Sequence, residues 1–189
     1  MNIILASASL RRQELMRMIT SEFKIVVSNF NEEAVEFNGN PCDYVIELSA
    51  GKAEEVAKKV EADSIIIGAD TVVALDNRIL GKPRSREEAY NMLFSLSNRW
   101  HEVFTGVTII SKKTGKLDSQ WVSTKVKFSQ LSHDEVSAYL DKTDYMSFAG
   151  SYGIQGAAGI FVEQIIGDYY NVVGLPVNRL YCMLKDFYK

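Results

Sequence analysis

The chain has only two cysteines in 189 residues, Cys42 and Cys182, and neither lies in a metal-ligand spacing. That excludes a zinc scaffold or a disulfide framework and reads as thiols of a reduced compartment. No apolar stretch approaches the roughly 20 residues that a membrane-spanning helix needs. The first residues, Met-Asn-Ile-Ile-Leu-Ala-Ser, carry no basic segment and only a short apolar run, so a signal peptide is not expected and a cytoplasmic location is. Positive charge is not in excess either. With 21 Lys and Arg against 24 Asp and Glu, the net charge is -3, which argues against bulk electrostatic binding of nucleic acid. Any anion site must be a local cluster of basic residues. No Gly-x-x-x-x-Gly-Lys-Ser/Thr loop occurs, which counts against P-loop chemistry. There is no internal repeat, low-complexity segment or long linker, so one domain over residues 1–189 is expected. The composition, 47% hydrophobic and 24% charged, is ordinary for a globular protein with a core.

Residues 64–73, Ser-Ile-Ile-Ile-Gly-Ala-Asp-Thr-Val-Val, are the most informative stretch. Ile65, Ile66 and Ile67 suit a strand covered on both faces. Gly68 and Ala69 then thin the chain, and Asp70 and Thr71 follow before Val72 and Val73 resume the strand pattern. A carboxylate in so apolar a stretch is costly to bury unless a metal, a basic side chain or a reacting water meets it. The plainer alternative is that Asp70 ends a strand and caps a turn.

Residues 3–6 read as a first strand. Ser9 is a candidate N-cap for a helix whose apolar positions are Leu15, Met18 and Ile19. Arg11 and Arg12 then fall in the first turn, where the macrodipole disfavours cations. Beside free N–H groups and the hydroxyls of Ser7 and Ser9, they read as a concentrated anion site, the plainer alternative being a solvated surface pair. Residues 23–28 read as a second strand, and Asn31-Glu32-Glu33 as a polar loop. Asn40 and Pro41 start a helix whose apolar face carries Val45, Leu48, Val56 and Val60. Lys52 falls on that face, either snorkelling from an edge or pointing into a cleft.

Asp76-Asn77 is the turn of a hairpin. Gly81-Lys82-Pro83 follows, placing Lys82 just before a helix, a good position for a second phosphate contact. That helix opens with a capping box, Ser85-Arg86-Glu87-Glu88, and its stripe is Ala89, Met92, Leu93 and Leu96. Residues 101–110 read as a strand, and Val122, Thr124, Val126 and Phe128 alternate along its hairpin partner. A second capping box, Ser132-His133-Asp134-Glu135, leaves His133 exposed, and His101 reads as a structural, hydrogen-bonded residue. Residues 157–166 read as a strand, 170–173 as its return, and Val177, Leu180, Tyr181 and Leu184 as the inner face of a last helix.

Several segments together carry a resemblance. Leu5-Ala6-Ser7-Ala8-Ser9-Leu10-Arg11-Arg12, Lys52-Ala53, Gly68-Ala69-Asp70-Thr71-Val72-Val73, Gly81-Lys82-Pro83, His101-Glu102-Val103-Phe104-Thr105-Gly106, Tyr152-Gly153-Ile154-Gln155-Gly156 and Asn171-Val172-Val173-Gly174-Leu175-Pro176 resemble, in that order, the Maf family of nucleotide pyrophosphatases. Leu10 stands where that family usually has proline, Asn31-Glu32 where it has Asp-Glu, and Ser147-Phe148 where it has Asp-Lys. The resemblance implies an α/β fold: a mixed, elongated sheet with flanking helices, split into two lobes around a central cleft, like the inosine triphosphatase fold. It implies hydrolysis of dTTP and UTP to the monophosphate and pyrophosphate, with Gln155 and Thr71 matching the subgroup that acts on those nucleotides. Lys52 then points into the cleft with Lys82. Asp70 activates water or holds a divalent metal, Mg²⁺ or Mn²⁺, with Glu32 as the other acidic residue of the cleft. Ser7, Arg11 and Arg12 bind substrate. A homodimer is implied too, with a role in cleaning the nucleotide pool or restraining cell division. The alternative is a nucleotide-binding regulator of septum formation with little turnover.

Overall fold

A computed structural model describes residues 2–188 of the chain. In chain order its elements are β1 (Asn2–Leu5), α1 (Leu10–Arg17), β2 (Lys24–Ile25), α2 (Pro41–Ala57), β3 (Ser64–Leu75), β4 (Arg78–Leu80), α3 (Arg86–Leu96), β5 (Trp100–Ser111), β6 (Leu117–Phe128), α4 (His133–Lys142), β7 (Val162–Ile166), α5 (Tyr169–Val173) and α6 (Val177–Lys185), with short 3₁₀ turns between. The strands form one mixed sheet in the order β2-β1-β3-β5-β6-β7, and β4 pairs with β3. No helix among the described residues is long and apolar enough to cross a membrane.

The isoleucine run behaves as its composition requires. Ile65, Ile66 and Ile67 are all buried, because β1 lies parallel on one side of β3 and β5 antiparallel on the other. β3 continues well past them to Leu75, so Asp70 stands in mid-strand opposite Gly106 rather than ending a strand. Side chains along it alternate, as strand geometry dictates. Ile65, Ile67 and Ala69 join α1 and α6 in one core. Further along, Val73 and Leu75 join α3, α4, Phe128 and Phe161 in another. The long strands β3 and β5 thus run through two lobes. Ile66 and Val72 face the opposite side, against α2.

The sheet opens between the lobes. β1 pairs with β3 only as far as Ile67, and β4 takes up the same side of β3 at Val73. From Gly68 to Val72 that edge of β3 has no strand beside it among the described residues, which leaves Asp70 and Thr71 accessible from a cleft although they point to opposite faces.

Some local expectations fail for identifiable reasons. β2 is two residues, not 23–28, because the Ser28 hydroxyl and Asn29 N–H turn away to the Glu55 carboxylate at 3.1 and 3.0 Å. α1 ends at Arg17 and buries Gln13, Leu15 and Met16, leaving Met18 exposed. The capping box at Ser85 is half made: its hydroxyl accepts from Glu88 N–H, but the Glu88 carboxylate accepts from Arg84 N–H at 2.7 Å instead of from Ser85. The box at Ser132 is complete. Residues 157–161 form a 3₁₀ turn, and only Val162–Ile166 is strand. Residues 169–173 are helical, not a return strand. Asp168 caps Tyr170 N–H at 2.8 Å, and buried Asn171 donates from Nδ2 to Val103 O at 2.9 Å and Thr124 Oγ1 at 3.0 Å. α6 turns Leu180, Met183 and Leu184 inward and leaves Tyr181 exposed.

Candidate active site

Helix α2 can deliver a charge to the sheet only by lying very close to it. Two glycines permit that. A Cβ at Gly68 would stand 2.2 Å from Ser49 O, and one at Gly106 would stand 2.1 Å from Val45 O. Both positions therefore need a residue without a side chain. The approach is pinned by a Ser49–Thr108 hydroxyl pair at 2.9 Å. It places Lys52, on the buried face of α2, against Asp70: Nζ donates to Oδ1 at 2.5 Å, with Lys52 9% and Asp70 7% exposed. The same ammonium meets Glu32 Oε1 at 2.9 Å. Glu32 opens a 3₁₀ turn, Glu32–Ala34, capped by the Asn31 side chain, so the loop expected there is ordered. Burial alone would raise the Glu32 carboxyl. The charge and hydrogen bond of Lys52, then Lys82 and Arg12, outweigh it and hold the group below its ordinary value.

On the other side of β3, Arg12 is tied down three times. Nε donates to Gly174 O at 2.8 Å, Nη2 to Thr71 Oγ1 at 3.0 Å and Nη1 to Ser7 Oγ at 3.5 Å. Ser9 caps α1 as expected, accepting from Arg12 N–H. Thr71 also meets Thr105 at 3.0 Å, and Thr105 donates to Asn171 O at 3.1 Å, so the unexpected α5 is part of the support. Burial lowers the Arg12 guanidinium from its ordinary value, against the pull of Asp70 and Glu32; arginine stays charged throughout. Arg11 does not share these partners. Its guanidinium lies over the ring of Phe148, 4.2 Å from the centroid, so the adjacent arginines diverge rather than forming one paired site.

Ser7, Arg11, Arg12, Glu32, Lys52, Asp70, Thr71, Lys82 and Gln155 all line one cleft of about 940 Å³. The sequence reading thus converges in space, although Gln155 is exposed on the opposite wall from Asp70. The reading missed Tyr44, which lies two turns before Lys52 on α2 and lines the same cleft. Burial, then the charges of Asp70 and Glu32, raise its phenol above the ordinary value. The i, i+4, i+8 run Tyr44, Leu48, Lys52 was the available signal. In the sequence Phe148 stands out only as a departure from the family pattern. His101 is structural, as expected: 3% exposed, with Nε2 2.7 Å from the Tyr152 hydroxyl and the ring edge-on to Phe128. His133 is exposed and stacks on Phe94.

Chemically, the cleft presents two carboxylates sharing one ammonium, flanked by further cations. Among the described residues only one oxygen of Asp70 and one of Glu32 is engaged, both by Lys52, and no group of three or more His, Cys, Asp or Glu could hold a metal by itself. Two carboxylates with free oxygens fit a hard cation that takes its remaining ligands from water and phosphate.

A profile described as Maf-like protein matches residues 2–187. The dTTP/UTP pyrophosphatase of Clostridium novyi (strain NT) is 49% identical over 186 residues, covering 98% of this chain and 97% of that protein. That of Clostridium tetani (strain Massachusetts / E88) is 50% identical over 187 residues, with coverage of 98% and 97%. Among solved structures, the Staphylococcus aureus Ham1 protein superposes with a TM-score of 0.55 at 14% identity, over 98% of this chain and 99% of that one. A HAM1 protein from Coxiella burnetii gives 0.53 at 14% identity with the same coverage. These two likenesses, at 14% identity, concern the fold alone.

Proposed function

The chain belongs to the Maf-like protein family, and we propose that it hydrolyses dTTP and UTP to the nucleoside monophosphate and pyrophosphate. The observation that carries this reading is the Asp70–Lys52 pair, buried at a gap in the sheet, with exposed Glu32 on the same ammonium and a cleft lined by further cations beside it. The names of relatives about half identical over nearly their whole length support the substrate.

In this reading Asp70 accepts a proton from the water that attacks the α-phosphorus. Lys52 keeps the carboxylate oriented and, with Lys82, offsets the charge that builds on the phosphoryl oxygens and the leaving pyrophosphate. Ser7, Arg11 and Arg12 bind the polyphosphate, and the three fixed contacts of Arg12 mean that little ordering is left to be done on binding. Asp70 and Glu32 would hold a divalent cation, Mg²⁺ or Mn²⁺, which when bound neutralises phosphate charge. Thr71 and Gln155 select the nucleotide. A uracil or thymine edge places one N–H between two carbonyls, and a primary amide can both donate and accept there. We extend the reading to a cytoplasmic homodimer acting on free nucleotides, which light scattering on the purified chain tests.

The test of activity is a panel of dTTP, UTP, CTP and GTP with Mg²⁺ or Mn²⁺, scoring pyrophosphate separately from orthophosphate. Pyrophosphate with dTMP or UMP is expected. Orthophosphate with a diphosphate would sink the reading, and tight binding without turnover would favour a nucleotide-binding regulator.

A further inference from the structure

Arg11 is poorly placed to be held by its own helix. It sits in the first turn of α1, where the macrodipole repels cations. Burial, then the charge of neighbouring Arg12, lower its guanidinium from the ordinary value. The carboxylate that attracts it is Glu14, one turn further along α1. What holds it at the cleft is the face of Phe148, 4.2 Å away. That contact joins the two walls, since α1 packs in one core and residues 145–152 pack against the other.

The ring itself is tightly held. Phe148 N–H donates to Tyr145 O and its carbonyl accepts from Ser151 N–H, each at 3.1 Å. Gly150 and Ser151 turn the chain with φ of 64° and 65°. Gly150 N–H donates to Gly81 O at 3.0 Å, next to Lys82. A Cβ on Gly153 would lie 2.4 Å from Phe148 Cε1, so the ring rests against the backbone two residues before Gln155.

We propose that Phe148 is a positioning residue for the reaction: its ring holds the Arg11 guanidinium in the cleft, pointed at the polyphosphate and away from Glu14. The proposal rests on the nucleotide reading of the cleft. A partly buried cation–aromatic contact sets the expected size. Replacing the ring with an aliphatic side chain releases Arg11 and weakens substrate binding, while Asp70 and Lys52, on other elements, keep their geometry.

The experiment is a double-mutant cycle on Phe148 and Arg11, with kcat and KM for dTTP read by pyrophosphate release. Phe148→Leu should raise KM about two- to thirtyfold and leave kcat within about threefold. Phe148→Tyr, which keeps the aromatic face, should restore KM to within about twofold. In an Arg11→Gln background, Phe148→Leu should add less than about twofold, because the partner is already gone. An unchanged KM in Phe148→Leu, no rescue by tyrosine, or an equal loss with and without Arg11 would each overturn the proposal. Should Phe148→Leu fold poorly, Phe148→Met keeps more of the volume and takes its place in the cycle. If the wild-type chain releases no pyrophosphate from any triphosphate, the functional reading has failed; the same cycle read as the Kd for dTTP by calorimetry then still decides whether Phe148 holds Arg11.

Discussion

On one wall of the cleft, Asp70 and Lys52 stand on a twelve-residue strand and a seventeen-residue helix. On the other, Phe148 stands between two three-residue 3₁₀ turns and Gln155 in a glycine-flanked loop. The first wall is fixed by ladder hydrogen bonds on β3 and by the close seat of α2 on Gly68 and Gly106. The second has no ladder. It is held by side chains (Phe148 against Gly153 and Arg11, Tyr152 against His101) and by a turn with positive φ at Gly150 and Ser151. In the proposed function, the chemistry, which needs a carboxylate and an ammonium held within a few tenths of an ångström, falls to the regular wall. Recognition of the nucleotide would fall to the wall built of loops.

The largest effect should come from the regular wall. Asp70→Asn keeps the shape but can neither take a proton nor hold a cation as a carboxylate does. Turnover should fall by roughly 10²–10⁴-fold, with the midpoint of thermal unfolding little changed. If steady-state assays find most of kcat retained, Asp70 is not the base.

The contact that ties Tyr152 of the irregular wall to His101 on β5 should be sensitive to acid. Burial lowers the His101 imidazole from its ordinary 6.5 to about 4. The unfolded chain takes up the proton near 6.5 while the folded chain refuses it. The unfolded state therefore binds more protons between those values, and stability falls as the pH drops through the window. The loss approaches about 3 kcal/mol at the lower end. Urea titrations from pH 7 to pH 4.5 should show the wild type losing more stability than His101→Gln. Equal losses would mean that other groups dominate the acid response.

Lys52→Met separates a catalytic cation from a core-facing stem on the regular wall. Methionine packs where the stem did, and kcat/KM should fall by about 1–3 kcal/mol, the range for losing a charge-assisted hydrogen bond. An unchanged kcat/KM would leave Lys52 as a structural counter-ion for Asp70.

Smallest in expectation is Gln155→Glu on the irregular wall. A carboxylate facing a base carbonyl leaves that acceptor without a donor, so kcat/KM for dTTP and UTP should drop roughly tenfold or more. CTP, with its exocyclic amino donor, should suffer less. Equal losses on dTTP, UTP, CTP and GTP would mean that Gln155 supports its loop without reading the base.

Much of this molecule follows from short-range rules. The isoleucine strand, the Asp76-Asn77 hairpin, the caps at Ser9, Asn40 and Ser132 and the inward face bearing Lys52 all follow from alternation, 3.6-residue periodicity and side chains that compete for free N–H groups. The ordered motifs also placed the chain in its family before any coordinates. Packing between distant segments made residues 169–173 coil into a helix, because Asn171 finds two buried acceptors on β5 and β6 that no local rule can see. It alone opened the sheet between Ile67 and Val73, since which strand lies beside β3 depends on chain far away in sequence. It alone sent Arg11 to Phe148 and Arg12 to Thr71 and Gly174. Two adjacent arginines look equivalent in sequence, but successive positions on a helix point about 100° apart, and each meets whatever the fold has brought to its side.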